Sequence, residues 1–324
     1  MAYIVETSRH IPEKLVRNQD MEQFPARFRE LIAEKAGITQ RYHAGEEECT
    51  SDLAIAAVNK LLKKTGLDPL AVDALICATT FGDRPAPATG TRIQLMTGMH
   101  NAFAFDLNSA CSSGVFGLRT AAGFVRDGLK NVIVVASEVY SKVLNHRDLT
   151  TYPYFGDAAA AVLVSDSGVY EILDFYLGSD GSKADSGCFP GGGTRLHGSK
   201  VTDPADFHMV LKGADIYQFA CEKGPETIMQ LMKKTGLTPD RVIPHQANIH
   251  IIKEICRKVA IPWEKFFVNV EKYGNTAGAS VLVAFDENRE AHPDDGVVIL
   301  AAFGAGLSWG GCCLRKASTQ EARG

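Results

Sequence analysis

Cys111 is the residue whose surroundings in this sequence are best suited to covalent chemistry. It lies in FAFDLNSACSSGVFGL (residues 103–118), where a predicted strand passes into a predicted helix. At the first turn of a helix, unpaired N–H groups and the positive end of the helix dipole stabilise a thiolate. The small neighbours leave the sulfur accessible. We therefore expect Cys111 to be an activated nucleophile; the alternative is a buried structural cysteine.

Two later residues could act with this cysteine. His245, in VIPHQANIHII (242–252), follows a short apolar strand, and loops at the carboxyl ends of strands build sites in α/β folds. Asn275, in YGNTAGAS (273–280), precedes a predicted helix, where the alternative role is a turn or helix cap. A cysteine, a histidine and an asparagine would supply a nucleophile and two neutral hydrogen-bonding groups suited to a carbonyl or enolate oxygen.

Strands and helices must alternate to bring these residues together. Buried strands are predicted at 73–80, 102–108, 131–138 and 160–166, and helices at 51–66 and 113–128. Both helices end at a glycine, which is typical of a helix C-terminus. This alternation predicts an α/β fold with sheets packed between helices.

The second half of the chain repeats the first. AVNKLLKKTGLDPLAVDALICATT is echoed by TIMQLMKKTGLTPDRVIPHQAN, AFAFDLNSACSSGVFGLRTAAGFVRDG by FFVNVEKYGNTAGASVLVAFDENRE, and GLKNVIVVASEV by DGVVILAAFGAG. Three echoes in one order indicate a duplicated fold, with domains at 1–167 and 168–324. Residues 178–200 are predicted to form a loop. Cys111 and Asn275 fall at comparable strand-to-helix points of the two repeats.

Composition excludes several classes of function. The net charge of −4 and the lack of a basic run with interleaved aromatics argue against nucleic-acid binding. The opening MAYIVETSRH is not a signal peptide, and no apolar run is long enough to span a membrane, so we expect a cytoplasmic protein. None of the eight cysteines forms a CxxC pair, so no metal site is expected.

The motifs and their order resemble the β-ketoacyl-acyl-carrier-protein synthase III family. The resemblance rests on SACSSG, PHQAN, GNTAGAS and AFGAGLSWGG (302–311), and it extends over nearly the whole chain, including AGITQRYHA (36–44) and YFGDAAAAVLV (154–164). It implies a thiolase fold, with duplicated halves in five αβαβα layers, and a homodimer. An Asn as the third residue, where related thiolases have a second histidine, points to the type III branch.

The resemblance also implies a mechanism without a cofactor, whose substrates are coenzyme A and 4'-phosphopantetheine thioesters. Cys111 would take an acyl group from acyl-CoA, and the N–H groups of Cys111 and Ala305 would form the oxyanion hole. His245 and Asn275 would then hold the thioester oxygen while malonyl-acyl carrier protein loses carbon dioxide, and a 3-oxoacyl-carrier protein would be released. The implied substrate-binding residues are Phe155, Phe303 and Asn248.

Several positions depart from the family pattern. Leu31 and Leu149 stand where relatives place a tryptophan and an arginine around the adenine, and His250 replaces the arginine that usually follows HQAN. Ala86 stands where relatives present an aromatic side chain across the dimer interface, which would open the pocket to longer starters.

Two arginines suggest a particular starter group. If Arg84 or Arg147 points into the acyl pocket, it could bind a terminal carboxylate in a bidentate fork. The starter would then be a dicarboxylic thioester such as glutaryl-CoA, giving 3-oxopimeloyl-carrier protein, as in relatives that serve biotin synthesis. The alternative is that both arginines are solvated, or contact coenzyme A phosphates or the carrier protein.

Other functions remain open at this point. The chain could use a longer acyl starter for a secondary metabolite, or could move an acyl group to an alcohol or amine without decarboxylation. A non-catalytic partner subunit is disfavoured, because such partners lack the nucleophile that this chain has in Cys111.

Overall fold

The structure, a computed structural model, describes residues 1–318. Within those residues the strands are β1 (Tyr3–His10), β2 (Lys14–Arg17), β3 (Gln40–His43), β4 (Ala74–Ala78), β5 (Phe103–Leu107), β6 (Asn131–Glu138), β7 (Ala158–Ser165), β8 (Tyr170–Ser179), β9 (Gly187–Cys188), β10 (Val210–Leu211), β11 (Arg241–Pro244), β12 (Val297–Gly304) and β13 (Ser308–Lys316). The helices are α1 (Ala26–Ala36), α2 (Thr50–Thr65), α3 (Thr89–Met96), α4 (Ser113–Arg126), α5 (Gly213–Thr235), α6 (Ile249–Val259), α7 (Val270–Tyr273) and α8 (Ser280–Asn288).

Nine of these strands form one mixed sheet with two distinct halves. Its order is β11-β12-β13-β8-β1-β7-β6-β4-β5. Strand β1 pairs with β7 along its whole length, but with β8 only where Tyr3 and Ile4 face Glu171 and Tyr170. The sheet is therefore two sub-sheets joined at a short seam.

Helices lie on both faces of each sub-sheet. The central helices α4 and α8 contact strands of both halves, while α2 and α3 cover the outer face of the first half. Helix α5, with α6 against it, covers the outer face of the second half. The order of layers is thus helix, sheet, helix, sheet, helix, which confirms the predicted αβαβα architecture.

Alternation along the strands supplies both faces of each sub-sheet with apolar side chains. In β4, Ile76 packs in the central core with α4 and α8, whereas its neighbours Leu75 and Cys77 pack under α2. In β12, Leu300 faces the central core and Ile299 faces α5. Strands buried on both faces read as continuous apolar runs, which is why the sequence shows them so clearly.

The predicted element bounds agree with the structure where a helix cap or a buried run marks them. Helix α2 ends before Gly66, which is left-handed with φ of 68°, as predicted. Strand β6 occupies the predicted residues 131–138. The predicted loop 178–200 contains the end of β8, several 3-10 turns and β9.

The echo of AFAFDLN by FFVNVEK predicts a strand in the second repeat, and this prediction is wrong. In FFVNVEKYG the described residues form only an isolated bridge between Phe266 and Val242, followed by the short helix α7. The division at residue 167 stays a prediction; it falls in the turn between β7 and β8.

The strand-to-helix turns of the two halves nevertheless share one geometry. Ala110 and Ala277 both have positive φ, 47° and 44°, which is uncommon for residues other than glycine. Each begins a 3-10 turn, and the central helices start three residues later, at Ser113 and Ser280. Cys111 therefore corresponds to Gly278, so Cys111 and Asn275 occupy the same kind of turn but not the same position in it.

Candidate active site

Cys111 lies on the 3-10 turn between β5 and α4, and hydroxyl groups fix that turn. The Ser112 hydroxyl donates to the Ser109 carbonyl at 2.7 Å and lies 2.8 Å from the hydroxyl of Ser308 in β13. The Ser109 N–H donates to the Ser113 hydroxyl at 2.7 Å. These contacts hold the first half of the chain to the last strand, directly beside the sulfur.

The thiol of Cys111 is not stabilised as a thiolate, contrary to the expectation from the helix N-terminus. Burial first, and the nearby Glu138 carboxylate second, raise its pKa to about 12. Burial also raises the pKa of Glu138, to about 8. Desolvation therefore favours the neutral thiol of Cys111 near pH 7.

His245 follows β11 and is held as a neutral imidazole. Its backbone N–H donates to the Ala301 carbonyl at 2.7 Å, and its ring meets the Phe303 ring edge to face with centroids 5.4 Å apart. The side chain is buried, and burial lowers its pKa to about 3. Nδ1 lies 2.5 Å from the Ser280 hydroxyl, which fixes the ring orientation.

Asn275 is oriented by its own loop. Its Oδ1 accepts the Ala277 N–H at 2.9 Å. Its backbone N–H donates to the Tyr154 carbonyl at 2.8 Å, and its carbonyl accepts the Gly156 N–H at 3.0 Å. Because Oδ1 is engaged with the backbone, the Nδ2 amide remains as the group that Asn275 can offer to a ligand.

One cavity of about 220 Å³ brings these residues together. The predicted site residues that line it are Cys111, His245, Asn275, Asn248, Phe155, Phe303 and Ala305. They come from both halves of the chain, and all except Phe155, which precedes β7, lie near the carboxyl ends of strands or the starts of helices. Such a set can place a sulfur nucleophile opposite several neutral hydrogen-bond donors.

Asn248 lines the cavity, but its amide already has partners. Nδ2 donates to the Lys35 carbonyl at the end of α1 at 3.0 Å. Oδ1 caps α6 by accepting the His250 N–H at 2.8 Å. Asn248 thus joins α1 to α6 beside the cavity that it lines.

Arg84, Ala86 and Arg147 do not line this cavity within one chain. Arg84 is exposed and lines a separate cavity that also contains Asp83 and Arg92. Ala86 and Arg147 are exposed as well. A single chain therefore gives no support to an acyl pocket built from these three residues.

The cavity also contains residues that the sequence analysis missed. Tyr140, Met209, Ile216, Tyr217 and Lys35 line it. Tyr140 lies two residues beyond the end of β6, a position where α/β folds place ligand contacts, so its location was a usable signal. The others come from regions without a motif.

Neither a metal cluster nor a membrane helix is found in the part of the chain that the structure describes. Within residues 1–318, no three His, Cys, Asp or Glu side chains are grouped to hold a metal ion. No helix among the same residues has the length and apolar character to cross a bilayer.

Comparisons with known proteins place this architecture in a family. The family model of 3-oxoacyl-[acyl-carrier-protein] synthase III matches residues 105–181, and the model of its C-terminal part matches residues 231–316. A β-ketoacyl-[acyl-carrier-protein] synthase III of Caldanaerobacter subterraneus is 36% identical, with 97% of both chains covered. The enzyme of the same name from Clostridioides difficile is 37% identical over 97% of this chain and 98% of its own.

Solved structures agree with the sequence relatives. The synthase III of Thermus thermophilus superposes with a TM-score of 0.88 at 32% identity, covering 98% of this chain and all of its own. That of Aquifex aeolicus superposes with a TM-score of 0.87 at 30% identity, covering 97% of this chain. The fold is thus that of the thiolase-fold condensing enzymes. The chain belongs to the β-ketoacyl-acyl-carrier-protein synthase III family and is an enzyme of the acyltransferase type.

Proposed function

We propose that this enzyme condenses an acyl-CoA with malonyl-acyl carrier protein through an acyl-Cys111 intermediate, releasing a 3-oxoacyl-carrier protein. The observation that carries the proposal is the shared cavity, which Cys111, His245 and Asn275 all line. The names of the relatives, which specify the carrier protein, support the partner. The proposed mechanism needs no metal or organic cofactor. The cytosolic location of the protein stays a prediction.

In the first half-reaction the Cys111 sulfur attacks the acyl thioester carbon. The N–H groups of Cys111 and Ala305 would hold the oxyanion. An oxyanion hole built from these two groups requires the end of β12 to lie close to the Cys111 backbone, and Gly304, which has no side chain, allows this approach. The carbon–sulfur bond to coenzyme A then breaks, and coenzyme A leaves as the thiol with the proton that Cys111 lost. Because Cys111 is a neutral thiol, this proton leaves as the attack proceeds.

In the second half-reaction His245 and Asn275 hold the malonyl thioester oxygen. Nδ1 of His245 lies 2.5 Å from the Ser280 hydroxyl, and hydrogen-bond donation to the thioester oxygen requires the tautomer in which that hydroxyl donates to Nδ1. The imidazole proton then resides on Nε2 and can be donated to the enolate oxygen. Loss of carbon dioxide generates the carbanion, which attacks the acyl carbon and expels the Cys111 thiolate. A proton from solvent then restores the Cys111 thiol. Removing one such donor costs about 2.7–4 kcal/mol of transition-state stabilisation.

Measuring carbon dioxide release tests this proposal against simple acyl transfer. The protein is mixed with an acyl-CoA and carboxyl-labelled malonyl-acyl carrier protein, and intact mass reports acylation of the cysteine. Acylation that Cys111→Ala abolishes, followed by carbon dioxide release that Asn275→Ala slows at least hundredfold, supports condensation. Acyl transfer without carbon dioxide release would instead indicate a non-condensing acyltransferase.

A carboxylated starter such as glutaryl-CoA is the second candidate. Arg84 and Arg147 are exposed, so a guanidinium group could reach the acyl group only where a second copy of the chain brings it to the cavity. Ala substitutions at both positions should impair acylation by glutaryl-CoA and spare acetyl-CoA. An equal loss with both starters would refute a carboxylate-binding role.

We also propose that the enzyme works as a homodimer joined at the β5 edge of the sheet. Strand β5 is terminal in the sheet, and Phe103 on it is 50% exposed and packs with Phe105 and Phe124. Leu95 and Met96 of the neighbouring α3 are also exposed. An unpaired edge beside an exposed apolar patch favours pairing with a second copy. Light scattering of the wild type and of Phe103→Lys tests it; a monomeric wild type would refute it.

A further inference from the structure

Asn275 is held by the backbone of a neighbouring segment, residues 154–156. Its N–H donates to the Tyr154 carbonyl at 2.8 Å, its carbonyl accepts the Gly156 N–H at 3.0 Å, and Phe155 pairs with it in an isolated parallel bridge. A side chain at Gly156 would overlap a backbone oxygen two residues before Asn275. The two backbones are therefore in direct contact, and a displacement of residues 154–156 would displace Asn275 as well.

Asp157 fixes the end of the 154–156 segment. Its carboxyl group is buried and accepts hydrogen bonds from two other parts of the chain. Oδ2 accepts the Ala44 N–H, just after β3, at 2.7 Å, and Oδ1 accepts the Ser141 N–H, in the turn after β6, at 3.0 Å. The Ser141 hydroxyl also donates to Oδ2, at 2.5 Å, and the Asp157 N–H donates to the Tyr42 carbonyl in β3 at 2.8 Å. Asp157 thus joins three segments at one point.

Asp157 itself takes no part in the proposed chemistry. It does not line the Cys111 cavity, whereas Tyr154, Phe155 and Asn275 do. Its effect on the site must therefore pass through the backbone to which its carboxyl group is attached. Because a buried N–H left without an acceptor is costly, the three segments that meet at this carboxyl group have one favoured arrangement.

We propose that Asp157 is a positioning residue for the decarboxylation step, because its carboxyl group fixes the segment that holds Asn275. The connection is short: Asp157 follows Gly156, and the Gly156 N–H donates to the Asn275 carbonyl. Cys111 is held by other contacts, since the Ser112 hydroxyl joins its turn to β13. Asp157 should therefore affect carbon dioxide release more than acylation of Cys111. This inference rests on the proposed role of Asn275 in decarboxylation.

Asp157→Asn tests this role with little change of size. It replaces one acceptor oxygen by an NH2 group, which donates. In either orientation the NH2 group would face the N–H of Ala44 or of Ser141, so one of these contacts is lost. With acetyl-CoA and carboxyl-labelled malonyl-acyl carrier protein, we expect carbon dioxide release to slow about tenfold, because small displacements of reacting groups reduce rates steeply. Single-turnover acylation of Cys111, followed by intact mass, should stay within about threefold of the wild type.

A double-mutant cycle separates positioning from general damage to the fold. In an Asn275→Ala background the amide that Asp157 positions is absent, so Asp157→Asn should cause little further loss of carbon dioxide release. A similar loss in both backgrounds would overturn the inference. It would also be overturned if the single variant lost acylation and carbon dioxide release equally, or if it released carbon dioxide at the wild-type rate.

Two further variants complete the experiment. Ser141→Ala removes only the hydroxyl donor, so it tests the inference even if thermal melts show that Asp157→Asn is unfolded. It should slow carbon dioxide release by a smaller factor and acylation less; equal losses would refute the role. Asp68→Asn is the matched control, because exposed Asp68 accepts the Leu70 N–H, which an asparagine also can accept, and both steps should keep their wild-type rates. If the wild type is not acylated, or releases no carbon dioxide, the proposed function fails instead.

Discussion

Replacing Gly304 by alanine should damage the nucleophile without touching its side chain. A Cβ at residue 304, the last of β12, would lie 2.7 Å from the Cys111 nitrogen, 2.9 Å from its Cβ and 3.2 Å from its Cα. Ordinary carbon contacts are about 3.5–4.0 Å. The strand and the turn would therefore have to separate by roughly 0.7 Å or more.

The turn cannot yield easily. Its hydroxyl contacts tie it to β13, and the atoms that the new methyl group meets belong to backbone and Cβ rather than to a flexible side-chain end. Overpacking of this kind costs about 1–3 kcal/mol of folding stability. A displacement approaching 1 Å at reacting atoms costs about hundredfold in rate. We expect Gly304→Ala to fold and to acylate Cys111 about hundredfold more slowly.

The assay is single-turnover acylation of Cys111 followed by intact mass, with urea unfolding measured on the same samples. Gly181→Ala is the matched control, because a Cβ there would have no heavy atom within 4 Å. The control should acylate like the wild type. If Gly304→Ala acylates within threefold of the wild type, β12 does not position the nucleophile as argued.

Three other predictions concern the groups around the sulfur. Ser280→Ala should slow carbon dioxide release about tenfold while affecting acylation less, because only the tautomer and orientation of His245 are lost; equal losses in both steps would contradict this role. Alkylation of Cys111 by iodoacetamide should rise about tenfold per pH unit from pH 7 to 9, because its raised pKa makes the thiolate scarce; a plateau below pH 8 would show a lowered pKa. Burial raises the pKa of Glu138 from 4.5 to about 8. Between these pH values the side chain is protonated in the folded protein and ionised in the unfolded chain. Its contribution to the free energy of unfolding is fully present below about pH 4.5, and about 1.4 kcal/mol of it is lost per pH unit as the pH rises to about 8. Urea unfolding of Glu138→Gln should lack this pH dependence of the free energy of unfolding.

Local rules were sufficient to predict several of the elements and to single out the three proposed catalytic residues as candidates. Gly66 ends α2 because a left-handed residue stops a helix, and β6 is visible because it is buried on both faces. Cys111 and His245 were found because each follows a strand, and both residues line one cavity.

The remaining features depend on contacts between distant segments. The pKa of Cys111 was misjudged because the helix terminus is visible in the sequence, whereas desolvation depends on everything that packs around the sulfur. The amide of Asn248 is engaged by the end of α1, more than two hundred residues away in the chain. Residues 266–270 form no strand, although their counterpart in the first half, β5, does.

The duplicated turns explain why this fold carries only one nucleophile at its centre. Gly278 occupies the position that corresponds to Cys111, and its N–H donates to the Glu138 carboxylate at 3.3 Å. A Cβ at Gly278 would lie 2.8 Å from that carboxylate and 3.1 Å from the Ala110 carbonyl. The space between the two turns therefore admits a side chain from one of them only. Because the second turn must have no side chain at this position, its contribution to the cavity that Cys111 lines comes from Asn275, three residues earlier.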